Sequence, residues 1–139
     1  MTKEDLMAYQ SKKAEIKELD RAMTGRWRDE GLIDNDVIFD YRKGYPMPQS
    51  VIGMDEKKYR RLQERDRRRK ETLERECEEA ELWVESIDDS LTRRIFRMVF
   101  LEGKKQREVA KAVHLDRSRV SRKIDDFLKN AHKAQNAHL

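Results

Sequence analysis

The fold is decided by residues 90–124, SLTRRIFRMVFLEGKKQREVAKAVHLDRSRVSRKI. Leu91, Ile95, Met98 and Val99 recur at helical spacing, with Phe96 and Phe100 beside them. Ser90 suits the N-cap of a helix over 91–101, and Gly103 suits the residue just past its end. A short helix is predicted over 106–113, a turn at His114-Leu115, and a third helix from 117 to about 132 with Asp116 as its N-cap. Two helices that cross steeply over a tight turn need a small residue where their axes approach, and Ala110 stands there. Four positions later the chain must turn sharply, often with a left-handed residue. Glycine is usual at such a point, and His114 takes its place because histidine visits that region more than most residues. Val109, Val113, Leu115, Val120 and Ile124 fill the wedge between the helices, and Phe127 and Leu128 continue the apolar face. This is the pattern of a helix-turn-helix.

The third helix then turns Arg117, Ser118, Ser121, Arg122 and Asp125 outward. Arginine grips guanine edges through two donors, and serine reaches bases or phosphates. Lys105, Arg107, Lys111, Arg119 and Lys123 lie on the flanks, where phosphates would run. Charge distribution points the same way. From residue 90 onward there are 13 Lys/Arg and 5 Asp/Glu, a net +8, against 19 and 23, a net −4, before it. A basic end on an acidic body favours a polyanionic partner for that end.

Upstream, residues 2–23 carry Leu6, Tyr9, Ile16, Leu19 and Met23 as a helical stripe, and Thr2 with Asp5 has the spacing of a capping box. Residues 24–54 hold four of the five glycines and both prolines and are predicted to be an irregular loop, with a very short strand at Val37-Ile38-Phe39. Residues 55–87 contain neither Gly nor Pro and are predicted to be one long helix. Its heptad seam reads Tyr59, Leu62, Asp66, Arg69, Leu73, Glu76, Ala80, Trp83 and Ile87. Nine basic and two acidic residues fill 57–70, whereas nine acidic and one basic fill 71–89, an order that opposes the helix dipole. Antiparallel pairing of two copies would match the blocks and make this helix a homodimer contact; a solvated charged arm is the alternative.

The fold class is therefore all-α. An N-terminal helix and a long charged helix, as a helical hairpin or coiled coil, are joined by an irregular loop and followed by a three-helix head. The expected divisions are an arm over 1–89, a head over 90–134 and a disordered tail over 135–139. Charged residues make up 43% of the chain and mean hydropathy is −1.06, which leaves little for a large core. No apolar run reaches membrane-spanning length and no signal peptide opens the chain, so the expected compartment is the cytoplasm. Cys77 stands alone among Glu76, Glu78 and Glu79, which should raise its thiol pKa. The histidines His114, His132 and His138 are scattered, and there is neither a phosphate-cradling glycine loop nor a paired Cys/His metal spacing. An enzyme, a metal site and a cofactor are not expected.

The stretch from Ile87 to Leu128, and in particular IDDSLTRRIFRMVFLEGKKQREVAKAVHLDRSRVSRKI, resembles region 4 of bacterial sigma-70 factors. With the N-terminal helix, the loop NDVIFDYRKGYPMPQSVIG and the long charged helix, the chain is similar to small transcriptional regulators of the RinA and ArpU type encoded by Firmicutes prophages. That resemblance implies control of phage late or packaging genes, contact with RNA polymerase, and base reading by Arg117, Ser118, Ser121 and Arg122. Nothing in the chain resembles sigma region 2, so promoter melting is not implied. Two alternatives stand beside a double-stranded DNA regulator. One is a phage packaging protein of the terminase small-subunit type. The other is a helical adaptor of RNA polymerase that keeps the head only as a fold.

Overall fold

The first helix starts where the sequence places a cap. Thr2 Oγ1 accepts the Asp5 N–H at 3.2 Å, and Asp5 Oδ2 accepts the Thr2 N–H at 3.0 Å, a reciprocal capping box. Those bonds hold the Asp5 carboxyl below its usual value. From this start, a computed structural model describes residues 1–29, 39–40, 47–48 and 56–137. The chain is all-α, with two dipeptide strands. In order the elements are α1 (Lys3–Met7), α2 (Tyr9–Asp29), β1 (Phe39–Asp40), β2 (Met47–Pro48) and α3 (Glu56–Glu85). There follow α4 (Ser90–Phe96), which runs on into a π-helical turn (Arg97–Leu101), then α5 (Gln106–Val113) and α6 (Arg117–Ala137). β1 pairs antiparallel with β2, Phe39 opposite Pro48 and Asp40 opposite Met47. Residues 30–38, 41–46 and 49–55, most of the loop predicted at 24–54, lie outside the described residues.

Several boundaries differ from the sequence reading: the N-terminal helix is split at Ala8 into α1 and α2, and the long helix expected over 55–87 spans Glu56–Glu85. The first helix was expected to stop near Met23, before Gly25, but α2 continues to Asp29. One interior glycine costs only about 1 kcal/mol relative to alanine, and Arg26, one turn on, is buried against partners that hold the last turns. The N-cap of α4 is Asp89 rather than Ser90: its carboxylate accepts the Thr92 N–H at 3.0 Å and the Thr92 hydroxyl at 2.6 Å. At the other end, α6 outruns His132 and is helical through Ala137, where a disordered tail was expected from 135; residues 138–139 lie outside the described residues.

The chain divides into two compact units, Met1–Lys13 with Arg75–Leu139, and Ala14–Glu74. The expected boundary at residue 90 is not where contacts thin out. In the Ala14–Glu74 unit, α2 and α3 run antiparallel and are joined by polar groups. Lys70 Nζ meets Asp20 at 2.6 Å, and Gln63 donates to the Met23 carbonyl at 3.0 Å. Arg26 is 7% exposed and donates to both Gln63 and Asp66, the latter only 4% exposed. Burial pushes the Asp66 carboxyl up, but hydrogen bonds from Arg26 and Arg65 and their charges outweigh it and hold it below its usual value. Towards solvent, Glu64 pairs with Arg67 and Arg68, and Arg67 also with Glu71, along α3 itself.

In the unit formed by Met1–Lys13 and Arg75–Leu139 the core is apolar. Leu6, Val84, Ile95, Phe96, Val109, Val120 and Ile124 are fully buried. Phe96 is its hub: its ring centroid lies 5.2 Å from Phe127, 5.4 Å from Phe100 and 5.8 Å from Trp83, the first of these edge-on. Trp83 and Phe127 meet edge-on at 5.9 Å. Tyr9 donates to Glu81 at 2.5 Å, Lys12 pairs with Glu76 at 2.9 Å, and Arg97 grips both oxygens of Glu85.

The heptad seam of α3 is half as predicted. Asp66, Leu73, Ala80 and Ile87 are buried, at the expected spacing of seven. The second row is Cys77 and Val84, not Glu76 and Trp83, which are half-buried. It lies four residues on from the first row rather than three, and the same row holds Gln63 and Lys70. The charge blocks of α3 find partners within the chain, at Asp20 and Arg26 in one unit and at Lys12 and Lys13 in the other. Cys77 is 2% exposed, and its thiol is raised first of all by that burial; Lys13 and Lys12 lower it, while Glu81 and its sequence neighbour Glu76 raise it.

Removing one member of the buried Arg26–Asp66 pair, by Asp66→Leu or Arg26→Met, lowers unfolding free energy by about 3–5 kcal/mol, whereas the double replacement stays near wild type. Urea unfolding of the three variants checks this. The Asp66 pKa is depressed, so its stabilisation is complete at neutral pH and fades as pH falls below about 4. Asp66→Leu therefore flattens the acid limb of a thermal-midpoint profile.

Candidate nucleic-acid interface

The basic end is assembled by two helix stops. The π-helical turn after α4 is closed by the Glu102 N–H on the Arg97 carbonyl at 2.9 Å, one residue wider than an α turn, and by the Lys104 N–H on the Met98 carbonyl at 2.9 Å. Gly103 ends it with φ +69°, the left-handed stop predicted. Each residue of a π turn rotates the chain less than an α residue does. Phe100 therefore comes onto the line of Ile95 and Phe96 and is buried, while Val99, expected on the core face, is half-buried.

The second stop makes the tight turn. α5 ends in a Schellman motif: the Leu115 N–H bonds the Ala110 carbonyl at 3.0 Å and the His114 N–H the Lys111 carbonyl at 3.4 Å. His114 itself has φ +58° and ψ +43°, the left-handed conformation that its place in the sequence requires. The Asp116 carbonyl accepts the N–H groups of Arg119 and Val120 and starts α6. Val109, Ala110, Val113, Val120 and Ile124 are buried where α5 packs on α6, as the wedge reading predicts, and Leu115 is half-buried.

That packing fixes what α6 turns outward. Arg117, Ser118, Arg119 and Arg122 are exposed, and Ser121 is half-buried on the flank. On α5, Lys105 stands at the N-cap position, Arg107 in the first turn and Lys111 in the last, all exposed. Lys123 is half-buried and turns towards the start of α4. Asp89 is held below its usual value first by its hydrogen bonds from Thr92 and then by the charges of Lys123 and Arg93. Among the described residues, none of Lys105, Arg107, Lys111, Arg117, Arg119, Arg122 and Lys123 enters an ion pair. On α3, Arg60, Arg65, Arg67, Arg68 and Lys70 do, while Lys57, Lys58, Arg61, Arg69 and Arg75, again among the described residues, do not. Cations left without an internal carboxylate keep their field for an external anion.

Sequence reasoning missed the part that α1 and the start of α2 play here. Gln10 Nε2 donates to the carbonyls of Leu101 at 2.6 Å and Phe100 at 3.2 Å, groups that the helix end leaves open. Its side chain also lies against Gly103, where a Cβ would stand 3.1 Å from the Gln10 amide carbon. Lys3 Nζ lies 3.1 Å from Asp125 Oδ1 on α6. A glutamine and a lysine ninety or more residues upstream carry no local signal of these contacts; only the apolar Leu6 marked α1 as a packing helix.

No helix among the described residues is long and apolar enough to cross a membrane. No family model, curated protein or solved structure matches the chain.

The two left-handed stops predict opposite responses. His114→Gly relieves a side chain from that region and raises unfolding free energy by about 0.5 kcal/mol, while Gly103→Ala places a Cβ there and lowers it by about 1–2 kcal/mol. Chemical unfolding at neutral pH measures both.

Proposed function

We propose that the chain is a sequence-specific transcriptional regulator of phage or prophage genes that binds double-stranded DNA through the α5–α6 pair, acting in the cytoplasm where that DNA lies. In this reading α6 enters the major groove with Arg117, Ser118, Ser121 and Arg122 at the bases. Lys105, Arg107, Lys111 and Arg119 stand against the phosphates. The observation that carries it is the cluster of exposed, unpaired cations on two helices joined by a tight left-handed turn. Contact with RNA polymerase belongs to the same reading through the resemblance to sigma region 4. A dimer is not required by it, because the charged line of α3 has partners within one chain.

Base readers and phosphate contacts separate in binding assays. Arg122→Ala costs roughly 1–3 kcal/mol on the selected site and little on random DNA, whereas Lys105→Ala or Lys111→Ala weakens all sequences alike and reduces the salt slope by about 1. The first experiment is selection of random duplexes by the purified protein beside the Arg117→Ala/Arg122→Ala double variant. Enrichment of a motif that the double variant loses supports the regulator. No enrichment with retained polymerase binding supports an adaptor, and a ring-sized assembly in solution supports a packaging role.

A further inference from the structure

The outward face of α6 holds two exposed carboxylates that do not suit a polyanion, Asp125 and Asp126, and of these only Asp125 has a partner among the described residues. Asp125 lies three residues after Arg122 and seven after Ser118, so it shares their exposed stripe beside half-buried Ser121, while Val120 and Ile124 face the core. A bare carboxylate there repels phosphates. It is nevertheless partnered, and from far away in sequence: Lys3 Nζ stands 3.1 Å from Oδ1, with the two side chains 43% and 57% exposed. Among the described residues, Oδ2 accepts no hydrogen bond. Lys3 does not reach Asp125 from a loose end. It opens α1, which is fixed by the Thr2–Asp5 capping box and by fully buried Leu6, and the Gln10 bonds to the Phe100 and Leu101 carbonyls fix the turn that follows. An exposed ion pair of this kind adds little to stability, so the fold does not explain it.

We propose that Asp125 is a specificity-determining residue of the α6 face and that Lys3 is its positioning residue. This rests on the DNA-reading assignment above. In the major groove the group that a carboxylate accepts from is the exocyclic amino group of cytosine. Lys3 neutralises the carboxylate and holds Oδ1, which leaves Oδ2 to meet that amino group. The first turn of the chain thereby becomes part of the reading surface.

The test is selection from random duplexes with the full chain and with Asp125→Asn, Lys3→Met and Lys3→Arg, each checked for an unchanged thermal midpoint. Wild type selects a motif with one cytosine column dependent on residue 125. Asp125→Asn moves that column towards adenine, which asparagine pairs through two bonds, with a change in relative affinity of about tenfold. Lys3→Met flattens the same column and no other, and Lys3→Arg restores it. Two results overturn the proposal. One is an Asp125→Asn motif identical to wild type. The other is a Lys3→Met variant that binds every sequence more weakly, or more tightly, with the column intact, which makes Lys3 a phosphate contact or a mask. A wild-type chain that selects no motif fails the DNA-reading assignment itself, and this inference with it.

Discussion

The ring of Phe96 is the constraint on which the basic end depends. It is fully buried and touches rings from α3, from the π-helical turn and from α6. Aromatic pairs in tilted or edge-on contact add about 0.5–1.5 kcal/mol each beyond the area they bury, but their larger effect here is directional. Trp83, Phe100 and Phe127 each have few ways to sit against one ring, so the rotation of α6 about its own axis is set from inside. The outward position of Arg122 and the inward position of Ile124 follow from that rotation.

The two units are stabilised by different chemistry. Around Phe96 the contacts are apolar and dense. In the Ala14–Glu74 unit the helices are joined by Arg26, Gln63, Asp66, Asp20 and Lys70, whose value depends on each group keeping its partner. A chain with 43% charged residues has few apolar side chains to distribute, and it concentrates them where helix orientation matters most. The charges divide in a parallel way. Half of the cations of α3 are held in ion pairs, while those on α5 and the start of α6 are all held open.

Much of this was legible in the sequence where a residue's local chemistry decides the outcome. The Thr2–Asp5 cap, the left-handed stops at Gly103 and His114, and the wedge of Val109, Val113, Val120 and Ile124 each follow from spacing within a few residues. What could not be read depends on distant packing. The second row of the α3 seam falls on Cys77 and Val84 because of what lies across from it. Asp89 displaces Ser90 as the cap because its carboxylate serves both the backbone and the side chain of Thr92. Gln10 and Lys3 act on carbonyls and a carboxylate ninety or more residues away. Of the site, the cationic residues of α5 and α6 were legible as a set, but not the half-buried turn of Lys123 towards Asp89.

The widened turn at Arg97–Leu101 bears on how such a chain changes over generations. A π turn holds one residue more than the α turn it replaces, so it is what an insertion looks like when the helix absorbs it locally instead of shifting everything that follows. Here the extra residue is taken up just before Gly103, and Phe100 still reaches the aromatic cluster. A relative with an unbroken α-helix at this place would be one residue shorter there. Its last helix would keep the same pose, and an alignment of the two without a gap would pair every residue beyond the turn with the wrong neighbour.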